Sequence, residues 1–144
     1  MKFFCDTSVL VAGCVRQHPH FNRARPLLEA ASAGKDAYFI SAHSATEIWS
    51  VLTRIPVLPR INPAEARLIL ETNVMKCFTM IAATPDMYAK AVNSCVEYGM
   101  QGGAVYDALL LECARLSGAD RIYTFNLRDF RRLAPDLDAY LCAP

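Results

Sequence analysis

No stretch of the chain approaches the roughly 18 consecutive apolar residues that a membrane-spanning helix requires, so a membrane partner is not expected. The N-terminus imitates a lipoprotein leader, with Lys2, a few apolar residues and then Val11-Ala12-Gly13-Cys14. Asp6-Thr7-Ser8 interrupts it, and the apolar run left is shorter than the roughly 7 to 15 residues of a leader core; a cytoplasmic location is the expectation. There is no excess of either charge sign. Fifteen basic against 14 acidic side chains leave +1 at pH 7, so no global field marks a nucleic-acid or membrane-surface binder. Internal repeats, low-complexity tracts and linkers are absent. The six cysteines, Cys5, Cys14, Cys77, Cys95, Cys113 and Cys142, form no CxxC pair, which argues against a zinc or dithiol redox motif. They read as small core residues in a reducing compartment.

What is present suits one globular domain over residues 1–144. The chain is 53% hydrophobic and 20% charged, and a domain of this length buries about two-thirds of its unfolded surface, enough for a core without metal or disulfide staples. Eleven of the 15 basic residues are arginine. Arg115, Arg121, Arg128, Arg131 and Arg132 fall close together near the C-terminus, either as a solvated face or as contacts for an anion, which the guanidinium fork matches well.

Local patterns alternate short apolar strands with helices. Phe3-Phe4-Cys5 ends at Asp6, and Ser8 can cap a helix through Val15. Ala24, Leu27, Leu28 and Ala31 give helical spacing over about Phe21 to Ala33, closed by Gly34, although Pro26 suggests that the regular part starts late. A strand at Ala37 to Ser41 leads into a helix from about Ala42 to Thr53. Asn62 caps, and Pro63 opens, a helix to about Asn73. Phe78 to Ala82 is a third strand, Thr84-Pro85 starts a helix to about Tyr98, and Gly99 ends it. After the loop Met100 to Gly103 comes an apolar helix from about Ala104 to Ser117, stopped by Gly118. Arg121 to Phe125 and Leu137 to Cys142 are the last strands. This order predicts a three-layer α/β/α domain around a central parallel sheet of about five strands.

In such sheets ligands gather at the carboxyl ends of the strands, and there the polar residues are mostly acids. Asp6 ends the first strand, Glu47 lies early in the helix after the second, Asp107 is in the first turn of the apolar helix, and Asn126 and Asp129 follow the strand from Arg121. Each has a plainer reading. Ser44-Ala45-Thr46-Glu47 fits a capping box, Asp6 could cap the first helix, Asp107 could complement a helix dipole, and Asp129 could be a solvated charge. Together, three or more converging carboxylates repel unless protons or a cation neutralise them, and an all-oxygen set favours Mg²⁺ or Mn²⁺ over zinc. His18-Pro19-His20 reads as an exposed turn, and His43 as a helix-start residue.

Asp6-Thr7-Ser8, Thr46-Glu47-Ile48, Tyr106-Asp107-Ala108-Leu109 and Thr124-Phe125-Asn126-Leu127-Arg128-Asp129-Phe130 resemble, in order and spacing from Lys2 to about Tyr140, the four signatures of PIN-domain ribonucleases, most closely the VapC-type toxins of bacterial toxin–antitoxin modules. The resemblance implies a Mg²⁺-dependent endoribonuclease, with Mn²⁺ as a possible substitute. Asp6 and Asp107 would be the metal ligands, Glu47 would complete the acidic site, and Ser8 and Thr124 would support it. The family often has an acid where this chain has Asn126, so the fourth acidic role is either lost, kept by Asn126 as a supporting amide oxygen, or supplied by Asp129, the reading preferred here. Arg128 would hold the RNA backbone. The metal would activate a water for in-line attack and offset charge on the phosphate. A cognate VapB-like antitoxin and a homodimer are further implications; Trp49, Leu52 and Ile55 could form a face between chains, although core packing is the commoner explanation for such residues. The rival expectation is a non-catalytic RNA- or protein-binding module that keeps a degenerate acidic site. Haloacid-dehalogenase and receiver-domain readings fail because Ser8 stands where the first needs a second Asp, and Ala82-Ala83-Thr84 where the second needs its phospho-accepting Asp.

Overall fold

The computed structural model describes residues 1–144 throughout. Five strands, β1 (Lys2–Cys5), β2 (Ala37–Ser41), β3 (Thr79–Ile81), β4 (Arg121–Tyr123) and β5 (Leu141–Cys142), form one sheet in the order β3-β2-β1-β4-β5. Every neighbouring pair is parallel. Strand side chains alternate between faces. Phe4 is in register with Phe39 and Ile122 on one face, while Cys5, Tyr38 and Ile40 belong to the core on the other.

Helices cover both faces, which is why the strands are apolar on both sides. Residues of α1 (Thr7–Cys14), α2 (Phe21–Ala33), α3 (Ala42–Leu52) and α4 (Pro63–Leu70) pack with Cys5, Tyr38 and Ile40. Those of α5 (Pro85–Glu97), α6 (Ala104–Ser117) and α7 (Leu127–Leu133) pack with Phe4, Ile122 and Leu141. The three-layer α/β/α architecture with a five-stranded parallel sheet is thus the one the alternating pattern predicts.

Local signals succeed where they are chemical. Asn62 and Glu65 form a reciprocal capping box with Pro63 at the first helical position, Thr84 caps α5 by accepting from the Met87 N–H, and Gly34 and Gly118 close α2 and α6 in the left-handed region. They fail in four places. Pro26 does not delay α2, which starts at Phe21 and gives up a single backbone bond in its second turn. The helix expected to end at about Asn73 passes from α4 into a π turn, Glu71–Met75. Ser8 is not a cap, because α1 starts at Thr7 and Asp6 holds the cap position. Of the expected strand Leu137 to Cys142, only Leu141–Cys142 pairs with β4; Pro135–Tyr140 forms a 3₁₀ helix, with Asp136 and Asp138 drawn outward to Arg115 and Arg131. The helix α7 carries no apolar period long enough to be read in advance.

Candidate active site

The chain runs outward from β1 through β2 to β3, then returns to place β4 on the other side of β1. The crevice between the carboxyl ends of β1 and β4 is the switch point at which open parallel sheets bind ligands. Asp6 enters it from β1, with its backbone N–H donating to Tyr123 O at 2.9 Å. Although Asp6 occupies the cap position of α1, its side chain makes no capping bond. Its Oδ2 instead accepts from Ser8 Oγ at 2.6 Å and from Thr124 Oγ1 at 2.8 Å. Thr124 is fully buried, and its hydroxyl also accepts the Asn126 N–H at 2.9 Å. One side chain therefore ties the ends of β1 and β4 together.

The capping-box reading of Ser44 to Glu47 is overturned. The cap of α3 is Ser41, whose Oγ accepts from the His43 N–H, so Glu47 falls beyond the first turn and bonds to nothing at the helix start. Its Oε2 accepts from Thr7 Oγ1 at 2.9 Å, and Thr7 Oγ1 lies 3.0 Å from Ser44 Oγ. Asp107, in the first turn of α6, accepts at Oδ2 from Asn126 Nδ2 at 2.8 Å. The same amide nitrogen donates to Asp129 Oδ2 at 3.2 Å. Asn126 is thus a neutral spacer between two carboxylates.

These residues open on a cavity of about 430 Å³ whose lining includes Asp6, Ser8, Glu47, Asp107 and Asn126 but no lysine or arginine. Asp129 and Arg128 lie off its wall, and Arg128 is exposed without an ion pair or side-chain hydrogen bond. No acid of the site belongs to an ion pair. The electrostatic result is a site short of positive charge. Burial raises the Asp6 carboxyl above the usual range, against the bonds from Ser8 and Thr124, and Glu47 adds to the rise. Asp107 is pushed up to about 7, first by burial and then by the charge of Asp6, with Glu47 and Asp129 contributing. The carboxylates are held together by the fold against their own repulsion.

Such a donor set, all oxygen and uncompensated, fits a hard divalent cation. No group of three His, Cys, Asp and Glu side chains stands close enough to enclose an ion by itself.

Three residues of the cleft have a place in it that the sequence does not assign them. Thr7 carries the bond to Glu47. The turn at His18-Pro19-His20 is as expected in its backbone, yet both imidazoles are half-buried and line the cavity. His18 Nδ1 accepts the His20 N–H at 3.1 Å, and burial, then His20, lowers its pKa. Adjacency to Asp6 was the only available signal for Thr7, and none existed for the histidines.

Residues 3–135 match the family model described as the PIN domain. Ribonuclease VapC40 of Mycobacterium tuberculosis is 34% identical over 123 residues, 85% of each chain. The chain belongs to the VapC-type PIN-domain family. Among solved structures, VapC20 of Mycobacterium tuberculosis, a sarcin–ricin loop cleaving toxin, superposes with a TM-score of 0.70 at 20% identity, covering 88% of this chain and 92% of the other. VapBC2 from Rickettsia felis, bound to a DNA fragment from its promoter, does so at 0.69 and 17%, covering 99% and 98%. These two likenesses concern the fold.

In this PIN domain the C-terminal arginines mostly serve the fold. Arg115 pairs with Asp136 and Glu112, Arg131 with Asp138, and Arg132 donates to the Tyr98 and Gly99 carbonyls. Leu52 of the suggested inter-chain face is wholly core, and Ile55 packs against it; Trp49 alone is exposed, with Nε1 donating to Pro63 O. All six cysteines are free. No helix is long and apolar enough to cross a membrane.

Proposed function

We propose that residues 1–144 act as a single divalent-metal-dependent endoribonuclease domain, the toxin of a cytoplasmic toxin–antitoxin pair. The observation that carries this reading is the convergence of Asp6, Glu47 and Asp107 on one cavity with no cationic side chain to neutralise them. The ribonuclease names of the curated relatives give the reaction class, and the VapBC complexes among the fold relatives support a VapB-like antitoxin as partner. A homodimer is part of the same proposal.

Asp6 and Asp107 would hold Mg²⁺, or Mn²⁺ in its place, and Glu47 would share the charge. When bound, the cation supplies an acidified water and positive charge at the phosphate. The protein supplies the rest. Ser8 and Thr124 fix Asp6 through two hydroxyl bonds to one oxygen, leaving Oδ1 for the cleft. Thr7 steadies Glu47. Asn126 holds Asp107 and Asp129 apart without adding a charge, and Asp129 acts from outside the cavity wall as the fourth acid. Arg128, exposed and free of protein partners, would contact the RNA backbone.

The direct test is cleavage of a mixed RNA pool by purified protein with Mg²⁺, Mn²⁺ or EDTA, beside Asp6→Asn. Metal-dependent cutting that the variant loses supports the reading. No cutting together with no Mn²⁺ binding would replace it with a degenerate binding module.

Glu47→Gln keeps an acceptor for Thr7, so its melting temperature is expected within about 2 °C of wild type, since substitutions that break no such contact stay near ±0.5 kcal/mol. Cleavage is expected to fall by about 100-fold or more; retained cleavage would return Glu47 to a structural role. Asp129→Asn, farther out, is expected to cost about tenfold or less, the effect of one charge at partial screening.

Cation binding must displace the protons favoured by crowding. Because Asp107 is pushed up to about 7, Mn²⁺ is expected to raise the melting temperature strongly at pH 8 and little at pH 5.5, where Asp107 is protonated. Equal stabilisation at both pH values, measured by thermal melting, would mean that Asp107 is not a ligand.

A further inference from the structure

The acidic cavity has a second chemical character. Part of its wall is made by His18 and His20, from the turn before α2, and by Phe125, the residue after Thr124. The His20 imidazole stacks on the Phe125 ring with centroids 4.6 Å apart and planes 22° from parallel. Both residues are only half-buried, so ring surface remains on the cavity. The Arg23 guanidinium lies 5.4 Å from the Phe125 centroid and is itself anchored to Pro144 O at 2.9 Å. The pair is therefore held in place before any ligand arrives.

Two further observations say what this wall is for. The cavity has three carboxylates and no lysine or arginine in its lining, so beyond the cation and the arginines outside the wall, the lining itself can add affinity for RNA only through its rings. The cavity is also larger than an ion needs. It is a solvent-open cleft of about 430 Å³, with room beside an ion for part of a nucleotide.

We infer that His20 and Phe125 form a stacking subsite for an unpaired nucleobase of the nucleotide next to the phosphate at the carboxylates. Aromatic side chains bind bases through their π faces with little dependence on charge, and only bases outside a duplex expose those faces. The subsite selects unpaired segments, because a paired base cannot reach it without leaving its stack. The inference rests on the endoribonuclease reading for the identity of the ligand. Phe125 follows the residue that holds Asp6, so base and phosphate positions are set by one stretch of backbone, Thr124-Phe125-Asn126.

The test uses the full chain with Mg²⁺ and a short single-stranded oligoribonucleotide that the wild type cuts. His20→Ala and Phe125→Ala are expected to raise KM by about 5- to 100-fold, the range set by one stacked base, with kcat within about threefold and Mn²⁺ affinity unchanged. His20→Phe, which keeps a stacking ring, is expected to restore KM. An abasic nucleotide walked along the substrate should raise KM in the wild type at one position beside the cut, and should add nothing there in His20→Ala, as for two removals of one contact. A wild-type KM in His20→Ala, an abasic effect that persists undiminished in that variant, or a matching loss of Mn²⁺ affinity would overturn the subsite while leaving the nuclease standing. A wild-type protein that cuts no RNA would overturn both. Phe125 also packs near Val9, Ala12 and Ala24, so where Phe125→Ala does not fold, the two His20 variants decide.

Discussion

Asp107→Asn is expected to make the metal-free protein more stable at pH 8 while abolishing metal-dependent cleavage. The asparagine keeps an oxygen for the Asn126 amide, so no bond is lost. What disappears is a charge the fold does not welcome. A pKa raised from 3.8 to about 7 penalises the charged form by up to about 4 kcal/mol, and solvent reaching this half-buried group reduces that to about 2 kcal/mol. Folded Asp107 binds its proton more tightly than the unfolded chain does. The metal-free wild type therefore loses stability as pH rises from about 4 to about 7 and stays lower above, the reverse of an ion-paired aspartate. In the variant this decline is expected to be smaller, with a gain in melting temperature of about 5 °C at pH 8. Thermal melts in EDTA from pH 4 to 8 measure it. A variant that melts lower than wild type at pH 8 would show that Asp107 serves the fold, not the chemistry.

Asp6 separates two roles in one position. Asp6→Asn can still offer an oxygen to Ser8 and Thr124, and is expected to fold normally and lose about 100-fold or more of activity, the scale of several kcal/mol of charge stabilisation at the reacting phosphate. Asp6→Ala strands two hydroxyls, one of them on a fully buried threonine, and is expected to cost a further 1–3 kcal/mol or so in stability. Urea unfolding beside cleavage assays distinguishes the pair. Equal stability of the two variants would mean that the hydroxyl bonds contribute nothing.

The legibility of this protein in its sequence follows the range of the interactions. Asn62-Pro63 with Glu65, Thr84-Pro85 and the glycines after α2 and α6 act within a few residues, and each was readable. So was the convergence of Asp6, Glu47 and Asp107 on one cavity, because strand ends in a parallel sheet share one edge, whereas Asp129 lies off the wall. What those acids touch was not readable. Thr7 reaches Glu47 across 40 residues, and Thr124 reaches Asp6 across 118, distances over which no periodicity operates. The same limit explains the false capping box at Ser44: its spacing was correct, but Ser41 had already taken the helix start. It also explains the histidines, whose turn was evident while the cavity beneath it was not.

The Thr124 hydroxyl bond also sets an order of assembly. Asp6 precedes by 118 residues the threonine that orients it, and Asn126, which spaces Asp107 from Asp129, comes two residues later still. During synthesis β1 therefore waits without its β4 neighbour until Arg121–Tyr123 has been made. A chain cut short before Thr124 carries Asp6, Glu47 and Asp107 but not the frame that gathers them.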